Sequence, residues 1–88
     1  MVFADENLEA AVRKQLKKPE EPLTKGAIRE LTKLLAPERE IQYLSGLDSA
    51  VNLTWLDLRR NQISDVSPLA SLTDLTSLNL DRNHISDI

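Results

Sequence analysis

A spacing of 22 residues governs the second half of this sequence. Shifted by that interval, Leu53 falls on Leu75, Leu56 on Leu78, Leu58 on Leu80, Asn61 on Asn83, Ile63 on Ile85, Ser64 on Ser86, Asp65 on Asp87 and Val66 on Ile88. Each copy fits L-x-x-L-x-L-x-x-N-x-I, a period at which one small unit buries its apolar flank only by stacking on the next. Leu56 and Leu58, like Leu78 and Leu80, lie two apart, so in an extended segment they share one side while their neighbours take the other. One strand per coil is therefore expected, with the leucines toward the core. Asn61 and Asn83 come three residues after the strand, where the chain must turn. A carboxamide offers an acceptor and two donors, so the pair is expected to form an asparagine ladder, bonding backbone of its own turn and of the next coil. Ile63 and Val66 then re-enter the core, and Ser67-Pro68 opens a return that carries Leu69 and Leu72 inward. Proline limits regular helix there, so a short 3₁₀ or irregular convex side is expected.

The same offset reaches backwards. It sets Leu31 under Leu53, Leu34 under Leu56, Ala36 under Leu58, Ile41 under Ile63, Leu44 under Val66, Leu47 under Leu69 and Ala50 under Leu72. Residues 31–52 thus read as a degenerate first repeat, 53–74 as the second and 75–88 as a truncated third. Pro37 removes a backbone donor just after the first strand, and Arg39 stands where the ladder asparagine would. Such departures suit a terminal coil whose strand has a free edge. Upstream, residues 1–30 read as a helical cap. Asp5 as N-cap, Glu6 and Glu9 in the first turn and Lys14, Lys17 and Lys18 at the far end suit a helix dipole from Asp5 to about Lys17. Leu8, Ala11, Val12 and Leu16 make its apolar stripe, and Glu9 and Arg13 a favourable i, i+4 pair. Pro19-Glu-Glu-Pro22 breaks the helix. Thr24 then caps a shorter one, with Leu23 stapled on Ile28 and Ala27, Ile28 and Leu31 as its buried face.

Composition narrows the function classes. The chain's 88 residues allow one small domain. The absence of cysteine excludes a disulfide framework, a thiol nucleophile and a zinc-thiolate site, and leaves localisation undetermined. No apolar run approaches the roughly 20 residues of a membrane span, and the first residues lack the pattern of a secretion signal. Residues 1–44 hold eight basic and eight acidic side chains and 45–88 hold three and six, so the repeats carry the whole excess of negative charge. That argues against nucleic acid as their partner.

Asn7-Leu8-Glu9-Ala10-Ala11-Val12-Arg13, Leu23-Thr24-Lys25-Gly26-Ala27-Ile28, Ile41-Gln42-Tyr43-Leu44-Ser45-Gly46-Leu47 and the 22-residue units together resemble internalin-type bacterial leucine-rich repeat proteins with their helical N-terminal cap. The resemblance implies an α/β fold: a leucine-rich repeat solenoid, a right-handed βα superhelix, with a two-helix cap and a short parallel sheet. It implies a non-enzymatic protein-binding module without cofactor, and relatives that are often secreted or surface-exposed. Two departures stand out: Ala27 occupies a position that is usually acidic, and the further repeats and C-terminal cap of the family are missing.

The outward strand positions form a candidate concave protein-binding surface: Lys33 and Leu35 with Pro37; Trp55, Asp57 and Arg59; Ser77, Asn79 and Asp81. Trp55 is either an interface anchor or a lid over Lys33 and Leu35. Arg59 and Asp81 are expected to pair across strands. At the other end Leu75, Leu78, Leu80, Ile85 and Ile88 form an open apolar edge, from which a fragment that frays or a homodimer paired through that edge is expected. His84 lacks companions at metal-ligand spacing. The Asn52-Leu53-Thr54 sequon centres on a core leucine, Asp65 and Asp87 suit turn caps, and no constellation suggests a nucleophile.

Overall fold

The computed structural model describes residues 3–85; Ser86, Asp87 and Ile88 lie outside the described residues. Helices α1 (Glu6–Leu16) and α2 (Lys25–Ile28) precede three strands, β1 (Lys33–Leu35), β2 (Trp55–Asp57) and β3 (Ser77–Asn79). Short 3₁₀ turns, Leu47–Ser49 and Ser67–Ser71, lie on the returns after β1 and β2. The strands make one parallel sheet in the order β1-β2-β3. Its register is the 22-residue offset: Lys33 pairs with Trp55 and Trp55 with Ser77, Leu34 with Leu56 and Leu56 with Leu78, Leu35 with Asp57 and Asp57 with Asn79. A period in the sequence has become a row in space.

Asp5 caps α1, its Oδ1 accepting the N–H groups of Asn7 at 2.8 Å and Leu8 at 3.3 Å. Lys17 ends the helix in the left-handed region, φ 59°, so that its own N–H bonds the Lys14 carbonyl and the next N–H bonds that of Arg13. The stripe Leu8, Ala11 and Val12 is buried, and α1 packs against β1. Arg13 pairs with Glu9 at 3.0 Å and also donates to the carbonyls of Lys18 and Glu21, which holds the Pro19–Pro22 link against the helix. Thr24 Oγ1 accepts the Ala27 N–H at 3.1 Å, opening α2.

All seven apolar positions that the first coil shares with the second are buried, from Leu31 to Ala50. Leu53, Leu56, Leu58 and Ile63 of the second coil are equally inaccessible. The return turns differ in how they open. Gly46, at φ 100°, supplies a left-handed start to Leu47–Ser49 that glycine adopts at little cost, whereas Pro68 sits in the first residues of Ser67–Ser71. Glu38, Arg60 and Arg82 occupy equivalent places, each just before the ladder position, and each is left-handed with φ near 58°: 56°, 59° and 58°. A side chain bearing a Cβ costs roughly 1 kcal/mol in that conformation, and the repeat accepts this in every coil.

Candidate protein-binding surface

The outward positions of the sheet form two straight rows, Lys33–Trp55–Ser77 and Leu35–Asp57–Asn79. Beyond the strands the alignment continues, because the Glu38 N–H donates to the Arg59 carbonyl and the Arg60 N–H to that of Asp81. Leu35 is 46% exposed. Trp55 is half-buried, and the Lys33 Nζ lies 5.1 Å from the centroid of its ring, a cation–π contact. Trp55 therefore packs on the first coil through Lys33 while keeping part of its indole open. Ser77 is exposed and Asn79 half-buried.

Asp57 departs from the expectation of a solvent-facing group, being only 6% exposed. Its Oδ2 lies 3.3 Å from the Arg59 Nε and its Oδ1 accepts the Arg59 N–H at 3.2 Å. Arg59 thus pairs with Asp57, two residues back on the same face, and not with Asp81. Asn79 repeats half of this arrangement, its Oδ1 accepting the Asp81 N–H at 3.0 Å. At β2 and β3 the side chain that ends the strand folds back on its own turn, whereas Leu35, which ends β1, stays exposed beside Lys33, Ser77, Arg59 and the half-open Trp55.

Beneath the surface runs the asparagine ladder. Asn61 Oδ1 accepts the N–H groups of Arg39 and Ile41, and its Nδ2 donates to the carbonyls of Ala36 and Leu58, with a longer contact to Arg59. Asn83 accepts from Ile63 and donates to Leu58 and Leu80. Both bond their own turn and the preceding coil, and among the described residues Asn61 makes no bond to the coil that follows, because its carboxamide points back toward the strand already laid down. A second ladder had been legible in the sequence but was missed: Thr32, Thr54 and Thr76 fall at the 22-residue offset. Thr54 and Thr76 each donate through Oγ1 to the threonine carbonyl one coil back, at 3.1 Å.

A family model described as leucine-rich repeats in two copies matches residues 51–88. Among solved structures, an internalin, inlF, from Listeria monocytogenes is 34% identical with a TM-score of 0.93, over 99% of this chain and 26% of that one. An internalin C2 from the same species is 29% identical with a TM-score of 0.93, over 99% of this chain and 39% of that one. The chain belongs to the internalin-type leucine-rich repeat family. It spans well under half the length of either internalin structure. A Clostridium perfringens ZmpB structure with CBM51-2 and INT domains is 32% identical with a TM-score of 0.79, over 86% of this chain and 16% of that one. No curated protein sequence matches the chain.

In this internalin-type chain the helical region is joined to the first coil by a residue whose second role the sequence did not disclose. Asp5 Oδ2 accepts the N–H groups of Gln42 at 2.7 Å and Tyr43 at 3.1 Å. Burial works to raise its pKa, but the four backbone donors from Gln42, Tyr43, Asn7 and Leu8 outweigh burial and hold the carboxyl below its usual range. Asp65 caps its turn, its Oδ1 accepting the Ser67 N–H at 2.9 Å, and that backbone bond, followed by the Ser67 hydroxyl, lowers its pKa. Asn52, of the sequon, donates to the Arg29 carbonyl at 2.8 Å, so its amide is engaged. His84 is exposed. At the far edge of the sheet Leu78 is 46% exposed, with Leu75, Leu80 and Ile85 half-buried; Ile88 lies outside the described residues. Among the described residues no group of three or more His, Cys, Asp or Glu is placed to hold a metal ion, and no helix is long and apolar enough to cross a membrane.

Proposed function

We propose that this chain is a protein-interaction module that binds its partner on the concave sheet, with Trp55 as the anchor. The reading rests on one observation: a half-open indole, braced by Lys33, beside an exposed Leu35 on a sheet in which β2 is flanked by a hydrogen-bonded strand on each side. A rigid aromatic loses little conformational freedom on binding and fills a partner's pocket, which is why such residues dominate interface energetics. Ser77, Asn79, Arg59 and Asp81 supply a polar rim around it. The affinity of the natural partner, measured by titration calorimetry, is expected to fall by about thirtyfold in Trp55→Ala. Tyr43→Ala, an exposed aromatic outside the sheet, is the control and is expected to change it little. Unchanged affinity in Trp55→Ala defeats the proposal.

A second reading draws on Leu78. It occupies the strand position at which Leu34 and Leu56 are fully buried, yet nearly half of it is exposed. Two copies meeting edge to edge through β3 about a two-fold axis would cover Leu75, Leu78, Leu80 and Ile85 reciprocally. Sedimentation equilibrium decides between a concentration-dependent dimer and a monomer up to high micromolar concentration, and the monomer ends this reading.

A further inference from the structure

We infer that the seam between α1 and β1 is a docking groove for an acidic, extended segment of a partner protein. A cleft of about 420 Å³ opens there, with Lys14, Gln15 and Lys17 on the helix side and Leu35, Pro37 and Arg39 on the sheet side. Lys14, Lys17 and Arg39 line it with three positive charges, and among the described residues no carboxylate lines it. None of the three forms an ion pair among the described residues, while their neighbours do: Arg13 holds Glu9, Lys18 approaches Glu30 and Arg60 approaches Glu38. In a chain with an overall charge of −3 this is a local inversion of sign. Like charges around one cleft repel, and a bound anionic group relieves that repulsion.

The shape of the seam selects the kind of anion. Its sheet wall is apolar, with Leu35 46% exposed and Pro37 beside it. A compact inorganic anion would use the cations and leave the apolar wall wet. A peptide with carboxylates flanking an aliphatic side chain would use both, its carboxylates on Lys14, Lys17 and Arg39 and its aliphatic group on Leu35. Pro37 lacks an N–H, so it offers no backbone donor there, and recognition falls to side chains. The groove is separate from the Trp55 anchor, although Leu35 borders both, so a single partner could run from one to the other.

The probe is an eight-residue peptide of alternating glutamate and leucine, titrated into the whole ¹⁵N-labelled chain at low salt. Saturable shifts are expected at Lys14, Lys17, Leu35 and Arg39, with affinity falling several-fold as salt rises through the range where the screening length drops to about 8 Å. The triple variant Lys14→Gln/Lys17→Gln/Arg39→Gln changes two exposed cations and the half-buried Arg39, and its fold is checked by an unchanged thermal melt. It is expected to weaken binding about tenfold. Trp55→Ala is expected to leave peptide affinity unchanged, which separates this groove from the sheet anchor: loss there alone damages the proposed function and not the groove. No saturable binding, or equal binding by the triple variant, overturns the inference. So does equally tight binding of short-chain polyphosphate, because the site is then a general polyanion contact with no use for its apolar wall.

Discussion

The first and third coils place a leucine at the same strand position, and the two leucines meet opposite fates. Leu34, in β1, is fully buried between α1 and β2, whereas Leu78, its counterpart in β3, is 46% exposed. The residue type, the strand and the register are the same; only the neighbours differ. Burial in a stacked fold belongs to the interface between units, so the stabilising value of a repeat position depends on what lies on either side of it.

The most direct way to break this comparison is to truncate matched leucines. Leu56→Ala, between two coils, is expected to cost about 2–5 kcal/mol, and Leu78→Ala about 1 kcal/mol, read from urea midpoints by circular dichroism. Equal losses would mean that the far edge is covered in solution. The ladder gives a smaller contrast. Asn61→Ala strips the Arg39 and Ile41 N–H groups of their acceptor and should cost about 3 kcal/mol, with faster hydrogen exchange at those two amides. Asn83→Ala, in a half-buried setting, should cost about 1 kcal/mol.

Asp5 sharpens the comparison at the helical end, where one carboxylate joins α1 to the first coil. Its pKa is lower folded than unfolded, so the folded state binds fewer protons. The stability it contributes is therefore present above the ordinary carboxylate value, near 4, and is lost as pH falls through the lower folded value. Thermal melts of Asp5→Asn should show a loss of about 1–2 kcal/mol near neutral pH and a flatter decline in acid than the parent. An identical acid profile would place the pH dependence elsewhere. The smallest effect has the opposite sign. A Cβ at Gly26 would meet only the Thr24 Oγ1, at 3.7 Å, so Gly26→Ala should stabilise α2 by about 0.5 kcal/mol and raise the melting temperature by about 2–4 °C.

The sheet register and the core were legible because a fixed period turns sequence distance into spatial adjacency. Leu31 to Ala50 could be assigned by offset alone, despite Pro37 and Arg39. The helix caps at Asp5 and Thr24 were legible because their partners lie within three residues. Three features were not legible. Asp5 reaches Gln42 and Tyr43 across 37 and 38 residues, and nothing local marks such a contact. The direction of the asparagine ladder depends on where the carboxamide points, and the spacing fits the coil before as well as the coil after. Arg59 had two carboxylates within plausible reach, and the one on its own strand, Asp57, prevailed. That choice altered the candidate surface, since it withdrew Asp57 from solvent and left Arg59 exposed above it.

Both ladders run the same way: beside any bonds to their own turn, Asn61, Asn83, Thr54 and Thr76 each donate to a backbone carbonyl of the coil before them. A chain leaving the ribosome makes that earlier coil first. Each newly emerged turn thus finds its polar partners already in place, and the molecule can grow by accretion, like courses of brick laid on a set foundation, without waiting for residues still to be translated.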